Sequence, residues 1–456
     1  MKREISLLQA TSINMIDMVG IGPFVTMTIV MQTVGSSLFL WAWIFGAVTA
    51  LMDGMIWSEL GAAYPLAGGS YNFLKEAYGP KRGPLMSFLF VWQTCLQAPL
   101  VVASAAIGFS DYFGYLIPLG DWERKAVSAA VVVLVVLLLY RNIREIGKIS
   151  VLIWSGVIIT ILWIIISGFT HQRVSYSCLP SGGQKMFSGA FGLLIGQASV
   201  KTIYSYLGYY NVCHLGSDIK DPGRNIPRSI FISIICITVL YLAMNLSIVR
   251  VIPWQQAMLS KTIVADFMRT IYGPRMASIS AVLILWIAFG SLFAVLLGYS
   301  RVPYAAAADG QFFPVFAWLH PRKEFPYISL LFIGALGLIL SVTVPLKHAI
   351  SAILAMRILV QFIAQAVGVV MLRESDRRRR KSGADGPTEG PRSLPFKMWL
   401  YPLPVILSIG IWLFIWYSTG LVAVFGLVLA LIGAVVFFLT RGRWTKPGVH
   451  NVPKIN

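Results

Sequence analysis

Charged residues are scarce in this sequence, and acidic residues are scarcer than basic ones. Of the 456 residues, 12% are charged and 57% are hydrophobic. Soluble globular domains do not have such a composition. The composition therefore predicts one all-α polytopic membrane domain.

Cysteine and histidine are also few. The four cysteines (Cys95, Cys178, Cys213 and Cys236) lack the spacing of a metal site or a disulfide framework. The five histidines are scattered, and neither HExxH, GxSxG nor a phosphate-binding loop occurs. These absences argue against a membrane enzyme and against ATP-driven transport by this chain. We therefore expect no catalytic residue, no metal and no cofactor.

The charge that is present is mostly positive. There are 37 basic and 18 acidic residues, which gives a net charge of +19. A nucleic-acid surface would explain this charge, but the basic residues lie in the segments between apolar runs, as the positive-inside rule expects. The expected surroundings are therefore membrane lipid, with no nucleic-acid partner.

The long apolar runs give twelve candidate spanning helices. They cover residues 12–34, 38–62, 84–117, 124–140, 147–169, 187–216, 228–252, 275–307, 326–343, 348–372, 400–418 and 419–440. An even number of spans places both termini on one side. With the termini inside, 26 of the 37 basic residues are cytoplasmic, so we expect both termini in the cytoplasm of a cell-membrane protein and a retained N-terminus.

Two of these spans are interrupted. Gly20, Gly22 and Pro23 break the first, within Val19–Phe24, and the sixth contains Gly208 among hydroxyl-bearing rings in Tyr204–Asn211. Either break alone is explained by a kink. If spans one to five repeat as spans six to ten, both repeats begin with a broken helix and their topologies are opposite. That is the inverted-repeat design of secondary transporters, and it fits two breaks better than a channel does.

The expected organisation follows from this repeat. Residues 1–372 form the transport core, with one repeat at about 12–169 and the other at about 187–372. Residues 373–399 form a basic, solvated cytoplasmic loop, residues 400–440 carry helices 11 and 12, and residues 441–456 are a cytoplasmic tail.

Several motifs resemble the amino acid–polyamine–organocation superfamily of transporters. The most specific follows the second span, and the others occur in the family's order over roughly 300 residues. The matching stretches are Glu59–Phe73 with Lys75–Pro80, Val19–Phe24, Gly208–Asn211 with Asp218–Arg228, and Ser300–Arg301 with Ala308–Gly310 and Phe313–Pro314.

The resemblance implies an amino acid permease with a five-plus-five inverted-repeat core, two added helices and alternating access. It also implies that backbone groups at the breaks hold the substrate carboxylate and amino group. The corresponding residues here are Val19, Gly20, Ile21 and Gly22 in the first break and Ser205, Tyr206, Leu207 and Gly208 in the second. A carboxylate is favoured at a helix N-terminus, and an ammonium by free carbonyls.

This sequence departs from the family pattern at Pro23, which has no N–H to offer a carboxylate. Proline here is similar to the plant polyamine-uptake branch, so a polyamine or another organic cation is the alternative substrate. A polycation favours buried carboxylates, however, and Leu207 stands where some members carry aspartate. We therefore expect a neutral, fairly apolar amino acid, with Phe24, Tyr206 and Tyr209 around its side chain.

The coupling ion is left open by the sequence. Ser291 is followed by Leu292, so the adjacent hydroxyls that some sodium-coupled relatives use are missing. The fifth span has no lysine at Trp154–Val157, where some proton-coupled relatives place one. Exchange and facilitated diffusion remain alternatives, as do the direction of transport, the oligomeric state and the need for an accessory subunit.

Single polar residues in the spans each have two interpretations. Asp53, Lys201 and Ser291 are candidates for coupling or gating, with packing or a water-filled vestibule as the alternative for the first two. Gln97 is a candidate cavity residue. Arg357, Gln361 and Gln365 share one helix face and are expected to bond between helices, while His214 is expected to pack.

The topology is testable with a single cysteine. We expect Ser382→Cys in intact cells to resist an impermeant thiol reagent added outside, because the segment 373–397 is predicted to be cytoplasmic. Labelling of that cysteine without permeabilisation would contradict the topology.

Overall fold

The computed structural model describes residues 3–141, 143–177, 189–345, 349, 352–353, 356–382, 394–420 and 422–440. These residues are mostly helical and contain no strand. Two isolated β-bridges occur among them, Ile5 with Ile219 and Ala67 with Leu215. The all-α prediction is therefore confirmed for this part of the chain.

The first apolar run folds as two helices. Helix α1 (Leu7–Met18) begins with a capping box between Ser6 and Gln9, and α2 begins after Ile21 and spans Gly22–Val34. Their axes differ by 43°. Pro23 lies in the first turn of α2, where its missing N–H and fixed φ are tolerated. The predicted break is thus present.

Four long helices and a two-turn helix follow the first break in the described residues. They are α3 (Leu40–Ala63), α4 (Ser70–Ala77), α5 (Gly79–Leu116), α6 (Asp121–Leu139) and α7 (Ile143–Thr170).

The second break lies between α8 (Gly189–Tyr206) and the single-turn helix α9 (Asn211–His214). Gly208 in this break has φ +121°, and a Cβ there would lie 2.7 Å from the Met18 nitrogen. Both the dihedral and the contact exclude other residues. Later helices are α10 (Pro222–Val249), α11 (Trp254–Ala257), α12 (Ile263–Tyr272), α13 (Pro274–Tyr299), α14 (Arg301–Ala308) and α15 (Tyr327–Thr343).

The last described helices are a π-helical segment (Ile358–Ile363), α16 (Ala364–Ser382), α17 (Leu403–Ser418) and α18 (Val422–Thr440). The sequence interpretation ends the tenth span at residue 372, whereas α16 continues to Ser382. Ion pairs favour the first part of the extension: Arg373 donates to both carboxylate oxygens of Glu59 at 2.6 and 2.5 Å, and Arg378 pairs with Glu374 at 3.0 Å. Residues 383–393 of the predicted loop and the tail 441–456 lie outside the described residues.

Length and apolar composition show an integral membrane protein. Seven described helices are long and apolar enough to cross a bilayer, and the α1–α2 pair makes eight. Two shorter helices, α15 and α17, are also apolar. The count of twelve spans and the inverted repeat stay predictions.

Packing brings the two breaks together. The Tyr241 hydroxyl on α10 shares its single proton between the Met18 carbonyl at 2.7 Å and the Ser205 carbonyl at 3.1 Å. The hydroxyls of Thr26 and Ser205 share a 2.6 Å hydrogen bond between α2 and α8. One ring thus holds a carbonyl from each broken helix, where no water would satisfy it.

Gly208 should be intolerant of a side chain. We expect Gly208→Ala to cost about 2 kcal/mol or more, because alanine at this φ is strained and its Cβ meets the α1 backbone. The measurement is the melting temperature in detergent, with Gly410→Ala as control, since a Cβ at Gly410 meets nothing within 4 Å. Equal melting temperatures for the two variants would contradict the geometry.

Candidate functional site

A small cavity lies where the two helix breaks meet. Its volume is about 50 Å³, far below the roughly 300 Å³ or more of a typical ligand pocket. Gly20, Ile21, Gly22 and Pro23 line it from the first break. The structure is therefore closed around this point, and a substrate side chain requires the surrounding rings to move.

Seven of the sequence-predicted site residues line this cavity. They are Gly20, Ile21, Gly22, Ser205, Leu207, Gly208 and Ser291. A Cβ on Gly20 would lie 2.5 Å from the Ser291 oxygen, whereas a Cβ on Gly22 would lie 3.2 Å from the Tyr204 ring. Neither of these two glycines has a positive φ, so they serve the close approach of neighbours and not an unusual backbone conformation.

Five other predicted binding residues lie outside the cavity wall. Val19, Phe24, Gln97, Tyr206 and Tyr209 are all buried in the core. The Val19 amide already donates to the Met15 carbonyl at 2.8 Å, because Val19 caps the end of α1. The Tyr206 ring packs edge-on against Trp43 and Tyr241. Phe24, Gln97 and Tyr206 lie within helices whose packing turns these side chains away from the cavity, whereas Val19 and Tyr209 lie at the breaks.

Tyrosines from other positions surround the cavity instead. Tyr204, Tyr210 and Tyr299 line it, and the Tyr204 hydroxyl shares a 2.9 Å hydrogen bond with Ser104 on α5. The ring of Tyr210 stacks on Trp57 with centroids 4.5 Å apart. The wall is therefore aromatic, as the sequence predicts, but three different rings form it.

Asp53 lies outside the cavity wall and joins several helices through hydrogen bonds. Its carboxylate accepts hydrogen bonds from Trp57 Nε1 at 2.8 Å and Tyr209 Oη at 2.5 Å, and from Ser408 Oγ and Trp412 Nε1 at 3.3 Å each. These donors belong to α3, the second break and α17. The packing interpretation of Asp53 accounts for all four contacts, and these hydrogen bonds tie the last helices to the core.

Lys201 and Ser291 are placed differently from each other. Lys201 is half-buried on α8, one turn before Ser205, and is not part of the cavity wall. Ser291 lines the cavity from α13, against Gly20. The structure therefore brings only Ser291 of this pair to the helix breaks.

The two charged side chains that line the cavity are Asp17 and Arg357. Asp17, on α1, accepts a 3.1 Å hydrogen bond from Asn211 Nδ2, which also donates to the Ala294 carbonyl at 2.8 Å. The Arg357 guanidinium donates to the hydroxyls of Tyr210 and Tyr299. The sequence analysis did not assign either charge to the site, although a charged residue within a span is itself a signal for a cavity.

Of the other two members of the Arg357 face, Gln365 bonds to another helix and Gln361 is buried. The Gln365 side chain accepts a 2.6 Å hydrogen bond from Ser70 on α4. His214 is buried among Trp57, Tyr210 and Tyr299, in keeping with a packing role. Among this group only Arg357 reaches the cavity.

Ion pairs join the motif segments away from the cavity. Lys75 binds Asp309 at 2.6 Å, and the buried Arg301 binds Asp218 at 3.3 Å. The backbone of Ile5 pairs with Asp218 and Lys220, which attaches the N-terminal segment to the same cluster. These contacts fix the geometry of the segments that they join.

A larger groove lies between α1, α7 and α10. It measures about 770 Å³, and its wall is almost wholly apolar, with Leu8, Ile235 and Val239 exposed. Such a surface suits lipid chains and has no charged group for an amino acid. The small polar cavity is therefore the better candidate substrate site.

The comparison with known proteins decides the family. The amino acid permease family matches residues 5–452. The chain belongs to the amino acid permeases of the amino acid–polyamine–organocation superfamily. It is accordingly a membrane transporter and not an enzyme.

Curated relatives of this permease are amino acid transporters. The chain is 24% identical to the branched-chain amino acid permease of Bacillus subtilis, over 98% of this chain and 94% of the relative. It is 26% identical to the large neutral amino acids transporter small subunit 2 of Mus musculus, over 99% and 83%. It is 24% identical to a serine/threonine exchanger of Bacillus subtilis, over 92% and 91%.

Removal of the Asp53 carboxylate should destabilise this permease. We expect Asp53→Ala to cost about 3 kcal/mol or more, because four buried donors lose their acceptor. Asp53→Asn keeps one amide oxygen as acceptor and should cost less. Melting temperatures in detergent test this. If Asp53→Ala melts like the unmodified protein but no longer transports, Asp53 couples transport and is not a packing residue.

Proposed function

We propose that this permease is a secondary transporter of neutral, fairly apolar amino acids that works by alternating access. The observation that carries the proposal is the convergence of both helix breaks on one small cavity that Asp17 and Arg357 also line. Broken helices that meet within a membrane are typical of transporter substrate sites. The proposed setting is the cell membrane with both termini in the cytoplasm, and the proposed core is residues 1–372 with its two repeats.

The proposed carboxylate site is the N-terminus of α2. Gly20, Ile21 and Gly22 line the cavity at this helix end, where the helix dipole favours an anion, and their amides are the proposed donors. Val19 is omitted because its amide bonds within α1, and Pro23 has no N–H. The carboxylate therefore has three backbone donors available here.

The proposed amino-group site is the second break. The Ser205 carbonyl already accepts from Tyr241, and the Gly208 carbonyl accepts from the Asn211 amide at 2.9 Å. Leu207 lies between them and lines the cavity, whereas Tyr206 does not, so the Leu207 carbonyl is the stronger candidate for the ammonium. This arrangement holds both ends of a zwitterion between two helix breaks.

Substrate class follows from charge and from the names of the relatives. The cavity carries one carboxylate, Asp17, and one guanidinium, Arg357. The positive charge disfavours a polyamine, which is the alternative substrate, while the pair together suits a net-neutral molecule. The relatives' names specify branched-chain, large neutral, and serine or threonine substrates.

A panel of candidate substrates tests the proposal. Leucine, valine, isoleucine, serine and putrescine are each added to purified protein, and the melting temperature is measured. A ligand that binds the folded state raises that temperature. We expect a neutral amino acid to stabilise the protein. Stabilisation by putrescine or spermidine alone would replace this assignment with the polyamine alternative.

A substitution at Gly22 tests the first break as the binding site. We expect Gly22→Val to weaken amino acid binding by about ten-fold or more, because its branched side chain meets Tyr204 and fills the space beside the amides. Gly410→Val is the control, since that position is open. Near-normal affinity in a folded Gly22→Val protein would show that the break is only a kink.

A further inference from the structure

Asp17 and Arg357 are opposite charges that share one cavity without pairing with each other. The ion pairs found among the described residues do not include them. Each charge is instead hydrogen-bonded to neutral groups, Asn211 for Asp17 and two tyrosine hydroxyls for Arg357. A separated pair of this kind is complementary to a molecule that carries both charges.

A purely structural role does not explain why Arg357 is buried. Its side chain is 4% exposed, and its two hydrogen-bonded partners carry no negative charge. Nε of this guanidinium has no hydrogen-bond partner among the described residues. A buried cation without a bonded anion is costly, because neutral donors and acceptors do not replace the hydration it loses.

The backbone next to Arg357 has a form that is common at functional sites. Arg357 directly precedes the π-helical segment Ile358–Ile363. A π-turn widens a helix at the expense of regular hydrogen bonding, and such turns occur frequently at functional sites. Arg357 also reaches both Tyr210, beside the second break, and Tyr299, at the end of α13.

We propose that Arg357 binds the substrate carboxylate and Asp17 binds the substrate ammonium, so that side-chain charges and not backbone alone select an α-amino acid. The guanidinium supplies a hydrogen-bond donor in place of the N–H that Pro23 lacks. One carboxylate oxygen bonds to the α2 amides and the other to Arg357, and the tyrosine hydroxyls that Arg357 now binds are released or shared. This inference rests on the proposed amino acid transport and adds its specificity-determining residues.

The test uses three probes that differ only in charge. Leucine has both charges, leucinamide has the ammonium alone, and 4-methylpentanoate has the carboxylate alone. Their affinities are measured by competition against radiolabelled leucine, or directly by calorimetry. In the unmodified protein leucine should bind at least about ten-fold more tightly than either analogue, since each charged contact contributes that much.

Each substitution should weaken the affinity only for those probes that carry the charge its residue binds. Arg357→Gln should weaken leucine about ten-fold or more while leucinamide binds as before, and Asp17→Asn should weaken leucine while 4-methylpentanoate binds as before. Arg357→Lys keeps the charge and should retain more leucine affinity than Arg357→Gln. The control is Arg378→Gln, whose native side chain is 79% exposed and pairs with Glu374 on the surface.

The outcomes separate this inference from the proposed function. If leucine and other neutral amino acids fail to bind the unmodified protein, both are wrong. If leucine binds but Arg357→Gln keeps its preference for leucine over leucinamide, only the role of Arg357 is overturned. Equal losses for leucine and leucinamide in Arg357→Gln, or equal losses in the Lys and Gln variants, would show that Arg357 holds the tyrosines and does not bind substrate.

Discussion

One hydroxyl group, that of Tyr241, satisfies a carbonyl from each of the two broken helices. Met18 ends α1 and Ser205 lies at the end of α8, and both carbonyls accept from this single donor. Backbone groups freed inside a membrane have no water to bind, so each break is stable only where protein supplies a partner. The shared donor therefore requires the two breaks to lie side by side, and the cavity between them follows from that requirement.

Hydrogen bonds between elements also hold the charged residues that line the cavity. The second break is held to α1 by Asn211 on Asp17 and by the Val212 amide on Asn14 at 2.9 Å. Arg357 lines the same cavity and donates to two tyrosine hydroxyls. These contacts bring a carboxylate and a guanidinium to a small space that Gly20, Ile21 and Gly22 also line. The arrangement suits a small zwitterion better than a polycation or an apolar ligand.

Much of this arrangement is predictable from the sequence because it depends on backbone chemistry. Glycine and proline in Val19–Phe24 and glycine in Tyr204–Asn211 indicate the breaks, and the spacing of Gln361 and Gln365 indicates an interior face. The rotation of each helix is set by its neighbours, so the sequence did not identify Arg357 or Asp17 as cavity residues. Nor did it distinguish Tyr204 from Tyr206 at the end of α8, or Tyr210 from Tyr209 in the break, since the packing of neighbouring helices decides which rings meet the cavity.

The extension of α16 was missed for a related reason. A run of arginines after an apolar span is typical of a solvated loop. Here Arg373 is held by Glu59, over three hundred residues earlier in the sequence, and that long-range pair fixes the start of the extension. Only the folded structure brings these two residues together.

A cryo-electron microscopy structure of the purified protein with saturating leucine would test the central claim most directly. The account predicts density for one leucine between the two breaks, with its carboxylate at the Gly22 amide and Arg357 and its ammonium facing Asp17. It also predicts that the tyrosine rings move apart, because the closed cavity of about 50 Å³ does not admit the side chain. Density for the amino acid at another place, with the helix breaks empty, would contradict the account.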